Sequence, residues 1–174
     1  VPILESIRIL EALQRSQVDY VVIGGVAATL HGSPLPTRDL DICPSRVAEN
    51  LERLARALRE MDARLRVGSD EPNGIPFPCE GPFLAQKNVW NLVTRFGALD
   101  LAFEPAGTGG YESLEPRAAH YELGGGLTVA TAALEDVIRS KEAANRAKDH
   151  QTLPTLRLLL ETRRQAPKPP SGDV

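Results

Sequence analysis

Residues 19–43 read DYVVIGGVAATLHGSPLPTRDLDIC, and the order of features in that stretch decides the fold class. Asp19 to Ile23 is a β-branched and aromatic run ended by Gly24-Gly25, which predicts a short strand closed by a glycine turn. Val26 to Leu30 is apolar and leads into His31-Gly32 and the turn-rich SPLPT, so a short helix and a loop follow. Arg38 to Cys43 then alternates charged and apolar side chains with the period of two that a half-buried strand requires. Two strands thus flank one helix.

The alternation places Asp39 and Asp41 on one face of the second strand and Leu40 and Ile42 on the other. Two residues advance roughly 6.6 Å along a strand, so the two carboxylates can bracket one hard cation such as Mg²⁺. A further strand supplies a third acid. In Leu99-Asp100-Leu101-Ala102-Phe103 the apolar residues share one face and leave Asp100 on the other, between the small Ala98 and Ala102. If the two strands are neighbours, Asp39, Asp41 and Asp100 form a triad suited to two metal ions and in-line displacement at phosphorus. Asp100 is then also placed to accept a proton from an attacking hydroxyl. Gly24 and Gly25, ahead of a helix N-terminus, leave backbone N–H groups open to a phosphate. Taken singly, the acids read as the solvated side of an edge strand and the glycines as an ordinary turn. Together they have one coherent use, a triphosphate held over Mg²⁺.

Outward from this stretch, Ile3, Ile7, Leu10 and Leu13 predict an N-terminal helix, and Val47, Leu51, Leu54 and Leu58 a helix with a mixed-charge outer face. Residues 68–81 form a Pro- and Gly-rich loop long enough to suggest a lid or binding role. Asn88 to Phe96 and Ala98 to Phe103 pair as a hairpin around Gly97, and residues 107–126 are irregular apart from a strand near Tyr121 to Leu123. Leu134 to Lys148 returns to helical spacing, and a last helix carries Leu156, Leu159 and Leu160. No internal repeat is present. The order predicts an α/β (α+β) domain over 1–165, a mixed sheet flanked by helices with C-terminal helices, and a disordered Pro-rich tail over 166–174.

Composition narrows the function classes. A chain of 174 residues is one domain's worth at about 100–200 residues per domain. At 42% hydrophobic and 25% charged it is neither disordered nor membrane-spanning, and a net charge of −3 excludes binding of nucleic acid by bulk charge. Cys43 and Cys79 lack zinc or disulfide-framework spacing and fit a reducing cytosol, and Pro2 and Glu5 argue against a secretory signal, so a cytoplasmic location is expected. Any polyanion site must be local. Residues 139–164 carry seven Lys/Arg against three acids, a basic segment on which RNA can land, and Lys141, Asn145 and Lys148 fall at the spacing of one helix face. Among smaller candidates, His31 reads as a helix C-terminal residue bonding the last carbonyls, Trp90 and Phe83 as core, and Cys43 as a small buried residue.

The stretch GGVAATLHGSPLPTRDLDI resembles the signature of the nucleotidyltransferase superfamily, with its polymerase beta-like fold, and within it the AbiEii/MenT-like toxin branch with its GG…A…HG…T.DLDI pattern. LDLAF matches the third carboxylate, and Lys141 to Asp149 resembles the K….R.KD segment that those proteins carry on a helix after the sheet. The resemblance implies a Mg²⁺-dependent transfer of NMP from an NTP, with a pyrimidine donor, to RNA at the tRNA 3′ end, blocking aminoacylation and growth. It also implies a cognate antitoxin as partner. Carried over by position, Asp39, Asp41 and Asp100 bind the metal; Gly24, Gly25, Thr37, Arg38, Lys141 and Lys148 contact the nucleotide; and Lys141 and Asp149 join the catalytic set, Lys141 on phosphate and Asp149 on a substrate hydroxyl. Leu35 stands where relatives often have Arg or Lys, a contact for which Arg38 can substitute. The alternatives are the same chemistry on a protein hydroxyl, as in antitoxin-like enzymes, or on a small molecule such as an aminoglycoside, and an inactive nucleotide-binding relative. Gly-Gly in place of Gly-Ser counts against the first two, and the complete triad counts against the last.

Overall fold

A computed structural model of the chain describes residues 4–68 and 71–165. Ile3, and the tail at 166–174 expected to be disordered, lie outside the described residues. In chain order the elements are α1 (Ser6–Arg15), β1 (Tyr20–Ile23), α2 (Gly24–Leu30), β2 (Asp39–Pro44), α3 (Ala48–Glu60), β3 (Arg64–Leu65), α4 (Gly81–Leu84), β4 (Val89–Thr94) and β5 (Gly97–Ala102). They continue with α5 (Tyr111–Leu114), a 3-10 turn at Glu115–Arg117, β6 (Ala119–Glu122), β7 (Thr128–Thr131), α6 (Leu134–Ala144) and α7 (Ala147–Gln165).

The strands form one seven-stranded mixed sheet in the order β3-β4-β5-β2-β1-β7-β6. β2 lies at its middle, antiparallel to β1 and parallel to β5, so the two acid-bearing strands are neighbours, the condition on which the carboxylate triad depends. The alternation read from the sequence holds: Leu40, Ile42, Leu99 and Leu101 are fully buried, and the acids take the other face. The buried leucines share a core cluster with Leu10 and Leu13 of α1 and Leu54 and Leu58 of α3. Burying each such side chain contributes roughly 1.5–3 kcal/mol, so this one layer supplies much of the driving force for the sheet. The hairpin at Gly97 forms as expected, with Thr94 opposite Gly97. Among the described residues no helix is long and apolar enough to cross a membrane.

Several local expectations change. The N-terminal helix begins at Ser6, and its buried stripe is Ile9, Leu10, Ala12 and Leu13, while Ile7 is 44% exposed. Gly24 and Gly25 belong to the first turn of α2, not to a separate turn ahead of it. β3 is only two residues long, and no strand is expected there from the sequence. Within 107–126, α5 and the 3-10 turn give order to what reads as irregular, and the strand near Tyr121 begins at Ala119. The loop at 68–81 contributes none of its described residues to the lining of the cavity at the acids. Its Ile75 bridges to Leu65, and its Phe77 stacks on the buried Trp90, with ring centroids 6.0 Å apart. Trp90 pairs with Leu101, on the sheet face away from Asp100.

The main correction concerns the predicted helix from Leu134 to Lys148. It breaks at Asn145, which adopts the left-handed conformation (φ 50°, ψ 37°), so Lys141, Asn145 and Lys148 do not share a helix face. Asn tolerates this conformation better than most residues because its short polar side chain bonds locally. Asp149, fully buried, then locks the corner: its carboxylate accepts Lys141 Nζ from α6 at 3.2 Å and Arg146 Nε at 2.8 Å. Burial alone pushes the Asp149 carboxyl up, but the hydrogen bonds and charges of Arg146 and Lys141 outweigh it and hold it below the usual carboxylate range.

Asp149→Asn is therefore expected to cost about 3 kcal/mol at pH 7 in urea denaturation, because it strands a largely buried ammonium. A carboxyl held below its unfolded-state value stabilises the fold above about pH 4. The advantage of the native chain over the variant should disappear as pH falls below that.

Candidate active site

Asp41 of β2 lies directly opposite Asp100 of β5, and Asp39 sits two residues back on the same face. One carboxylate oxygen from each of the three acids lies within 4.8 Å of the others. The register extends the row outward: Asp100 pairs with Asn91 of β4, and the Arg66 N–H donates to the Asn91 carbonyl at 2.9 Å just past the end of β3. The Arg66 side chain therefore lands beside Asp100, with Nη2 2.7 Å from Oδ1 and 2.8 Å from Oδ2. Arg66 is a site residue that the sequence reading missed. The alternation of Ala63-Arg64-Leu65-Arg66-Val67 was its one sequence signal.

The two glycines are required by close packing. Gly24 has φ +66°, and a Cβ on it would lie 2.1 Å from Asp41 Oδ2; a Cβ on Gly25 would lie 2.4 Å from Thr37 Oγ1. The Gly25 N–H faces the Asp41 carboxylate and favours its charged form. Thr37 faces inward as well, its hydroxyl 3.1 Å from both the carbonyl and Oδ1 of Asp39, so it orients that acid. Arg38 is exposed and outside the cavity wall, and the wall at the turn is made by Leu35, Pro36 and Thr37.

The acids open onto a cavity of about 540 Å³, within the size range of small-molecule and cofactor sites. Lys141, Arg146 and Lys148, from α6, the corner and α7, line the side provided by the C-terminal helices. Burial first, then repulsion from Asp39 and Asp100, pushes the Asp41 carboxyl up to about 6, against the pull of Lys148 and the Gly25 N–H. Burial likewise raises Asp100, opposed chiefly by Arg66. Among the described residues neither Asp39 nor Asp41 has a salt-bridge partner, leaving hard oxygen donors with uncompensated charge, a set that fits a divalent cation. Of the expected nucleotide contacts, Lys148 acts on Asp41 across the cavity, whereas Lys141 is engaged by Asp149. Asp149 itself is spent on Lys141 and Arg146.

The basic segment is largely paired within the chain. Arg139 meets Asp136, Arg157 meets Glu142 and Arg164 meets Glu135. Arg163 donates to the His31 carbonyl at 2.9 Å and lies 3.0 Å from His31 Nδ1. His31 does not cap its own helix with its ring: Nε2 lies 2.7 Å from the Ala132 carbonyl and must donate, so neutral Nδ1 accepts from Tyr121 and Arg163. Burial, reinforced by Arg163, lowers its pKa. Trp90 and Cys43 are buried as expected.

Asp41→Asn is expected to stabilise the metal-free protein at pH 7.5 by about 1–2 kcal/mol in thermal denaturation. A carboxyl raised in the fold costs stability as pH climbs from about 4 through about 6, and the variant escapes that cost. The gain should vanish at pH 4, and a loss at pH 7.5 would mean that attraction, not repulsion, dominates at Asp41. Gly24→Ala should destabilise by about 2 kcal/mol in the same assay, combining left-handed strain with displacement of the Asp41 carboxylate.

No family model and no curated protein matches the chain. Among solved structures, the lincosamide antibiotic adenylyltransferase LnuA, with lincomycin bound, aligns over 91% of this chain and 99% of that one at 16% identity, with a TM-score of 0.61. A putative nucleotidyltransferase from Thermotoga maritima aligns over 90% of each chain at 16% identity, with a TM-score of 0.49. The chain has the fold of a nucleotidyltransferase, a mixed sheet flanked by helices.

Proposed function

We propose that the protein is a metal-dependent nucleotidyltransferase that moves NMP from an NTP onto a hydroxyl. The observation that carries this reading is the convergence of Asp39, Asp41 and Asp100 in a cavity that Arg146 and Lys148 also line. Asp39, Asp41 and Asp100 would hold a divalent cation, which would supply charge neutralisation at the phosphates and polarisation of the reacting phosphorus. Thr37 and the Gly25 N–H keep Asp39 and Asp41 aimed. Lys148 and Arg146 neutralise polyphosphate charge, while Lys141 and Asp149 position them by fixing the corner between α6 and α7. The acceptor oxygen bonds to the α-phosphorus as the bond to the bridging oxygen breaks. Pyrophosphate departs with the electron pair, and the hydroxyl proton passes to the Asp100 carboxylate. Positioning and charge neutralisation supply most of the rate.

For the acceptor, the GG…HG…T.DLDI resemblance supports the 3′ end of tRNA, a pyrimidine donor and a toxin held by an antitoxin. A small hydroxylated molecule is the second reading. It is favoured by the internal pairing of Arg139, Arg157, Arg163 and Arg164, and by likeness in fold to an enzyme solved with lincomycin bound.

Incubation with Mg²⁺, each labelled NTP, total tRNA or a panel of hydroxylated antibiotics tests both. Label on tRNA that is lost by at least about 10²-fold in Asp41→Ala supports the RNA reading. Label on a small molecule with the same dependence supports the second, and no transfer with any donor and acceptor counts against the activity. Arg163→Ala should loosen the end of α7 that meets His31, lowering thermal stability, rather than weaken RNA binding in a salt-dependent way.

A further inference from the structure

The acidic triad is asymmetric. Asp39 and Asp41 lack a salt-bridge partner among the described residues, but both oxygens of Asp100 are held by one Arg66 nitrogen, at 2.7 and 2.8 Å. The oxygens that Asp100 would offer to a cation, or to the proton of an attacking hydroxyl, are the ones the guanidinium occupies. Arg66 has no other carboxylate within salt-bridge distance among the described residues, so its charge is directed wholly at the triad.

Three features make this a replaceable contact. The Arg66 side chain is 33% exposed, whereas that of Asp100 is 16% exposed, so the guanidinium can leave toward solvent without crossing packed core. Arg66 follows the last residue of β3 at the rim of the sheet, held through its backbone N–H to Asn91, so the side chain can move while the backbone stays in register. A guanidinium does not lose its proton at accessible pH, so pH does not release it, and a cation that takes Asp100 must compete with it.

We propose that Arg66 is the resident counter-cation of the triad: it occupies the Asp100 end of the site, and a divalent cation must displace it to use that carboxylate. This rests on reading Asp39, Asp41 and Asp100 as the metal-binding acids. Arg66 keeps the apo site from carrying three clustered, unneutralised carboxylates. It also closes Asp100 to proton transfer until the metal has loaded, so loading and activation of the acceptor become one event. A salt bridge that supported the fold without acting on the cation site would leave metal affinity unchanged or lower it when removed. A competitor raises metal affinity when removed, and that sign separates the two.

The test is a titration of nucleotide-free protein with Mn²⁺ alone, following free Mn²⁺ by electron paramagnetic resonance. Arg66→Gln should bind Mn²⁺ about fivefold more tightly than the native chain, the size set by a partly exposed ion pair, and Arg66→Lys should show a smaller gain. Asp41→Asn should lose binding. Equal or weaker affinity in Arg66→Gln, with binding still lost in Asp41→Asn, overturns the role of Arg66 and leaves the metal site standing. Absence of Mn²⁺ binding in the native chain and Arg66→Gln alike overturns both readings. If Arg66→Gln fails to fold by circular dichroism, Arg66→Lys decides, an unchanged or lowered affinity overturning the proposal.

Discussion

The pairing of β2 with β5 in the register that sets Asp41 against Asp100 is the constraint on which the rest of the molecule depends. Directly opposed residues share a face, so the pairing that buries Leu40 and Ile42 with Leu99 and Leu101 also drives like charges together on the other side. A slip by one residue would bury the acids and expose the leucines. The hydrophobic layer over α1 and α3 therefore enforces an electrostatic arrangement that the carboxylates alone would not choose. Its cost is visible at Asp41, whose carboxyl is pushed up to about 6.

What offsets that cost comes from widely separated parts of the chain. Arg66 arrives from the rim of the sheet, the Gly25 N–H from the first turn of α2, and Lys148 from the start of α7. The C-terminal helices are fixed in turn by buried polar contacts: Asp149 ties Lys141 to Arg146 at the corner, and His31 gathers Ala132, Tyr121 and Arg163 near the far end of α7. Over 19 residues α7 spans roughly 28 Å. Contacts near both ends set its angle over the cavity, and with it the distance of Lys148 from the acids.

The central strands and the carboxylates were legible in the sequence because alternation is a local signal with a rigid geometric meaning. RDLDIC and LDLAF each show which side chain faces away from the core, and Gly97 marks the hairpin that carries the third acid. The contacts that tune the site were not legible, because each depends on where distant segments meet. Arg66 follows a strand of two residues, and the short alternation around it does not tell which strand it joins or which acid it meets. The break at Asn145 lies inside an otherwise helical pattern, and only its left-handed backbone turns Lys148 away from the face that Lys141 occupies. Net charge also misled. Counting Lys and Arg over 139–164 suggested a basic surface for RNA, whereas most of those side chains close on acids of α6 or on His31.

The glycine at position 24 has a bearing on how this sequence can drift. The volume that a methyl group would need there is filled by the Asp41 side chain, so position 24 is constrained for as long as position 41 keeps its acid. A shorter acid does not exist among the natural amino acids, and a longer one would press harder on the same backbone. The acid at position 41 thus narrows what position 24 can become, and the constraint runs in one direction: exchanging the acid relaxes the glycine, whereas exchanging the glycine strains the acid.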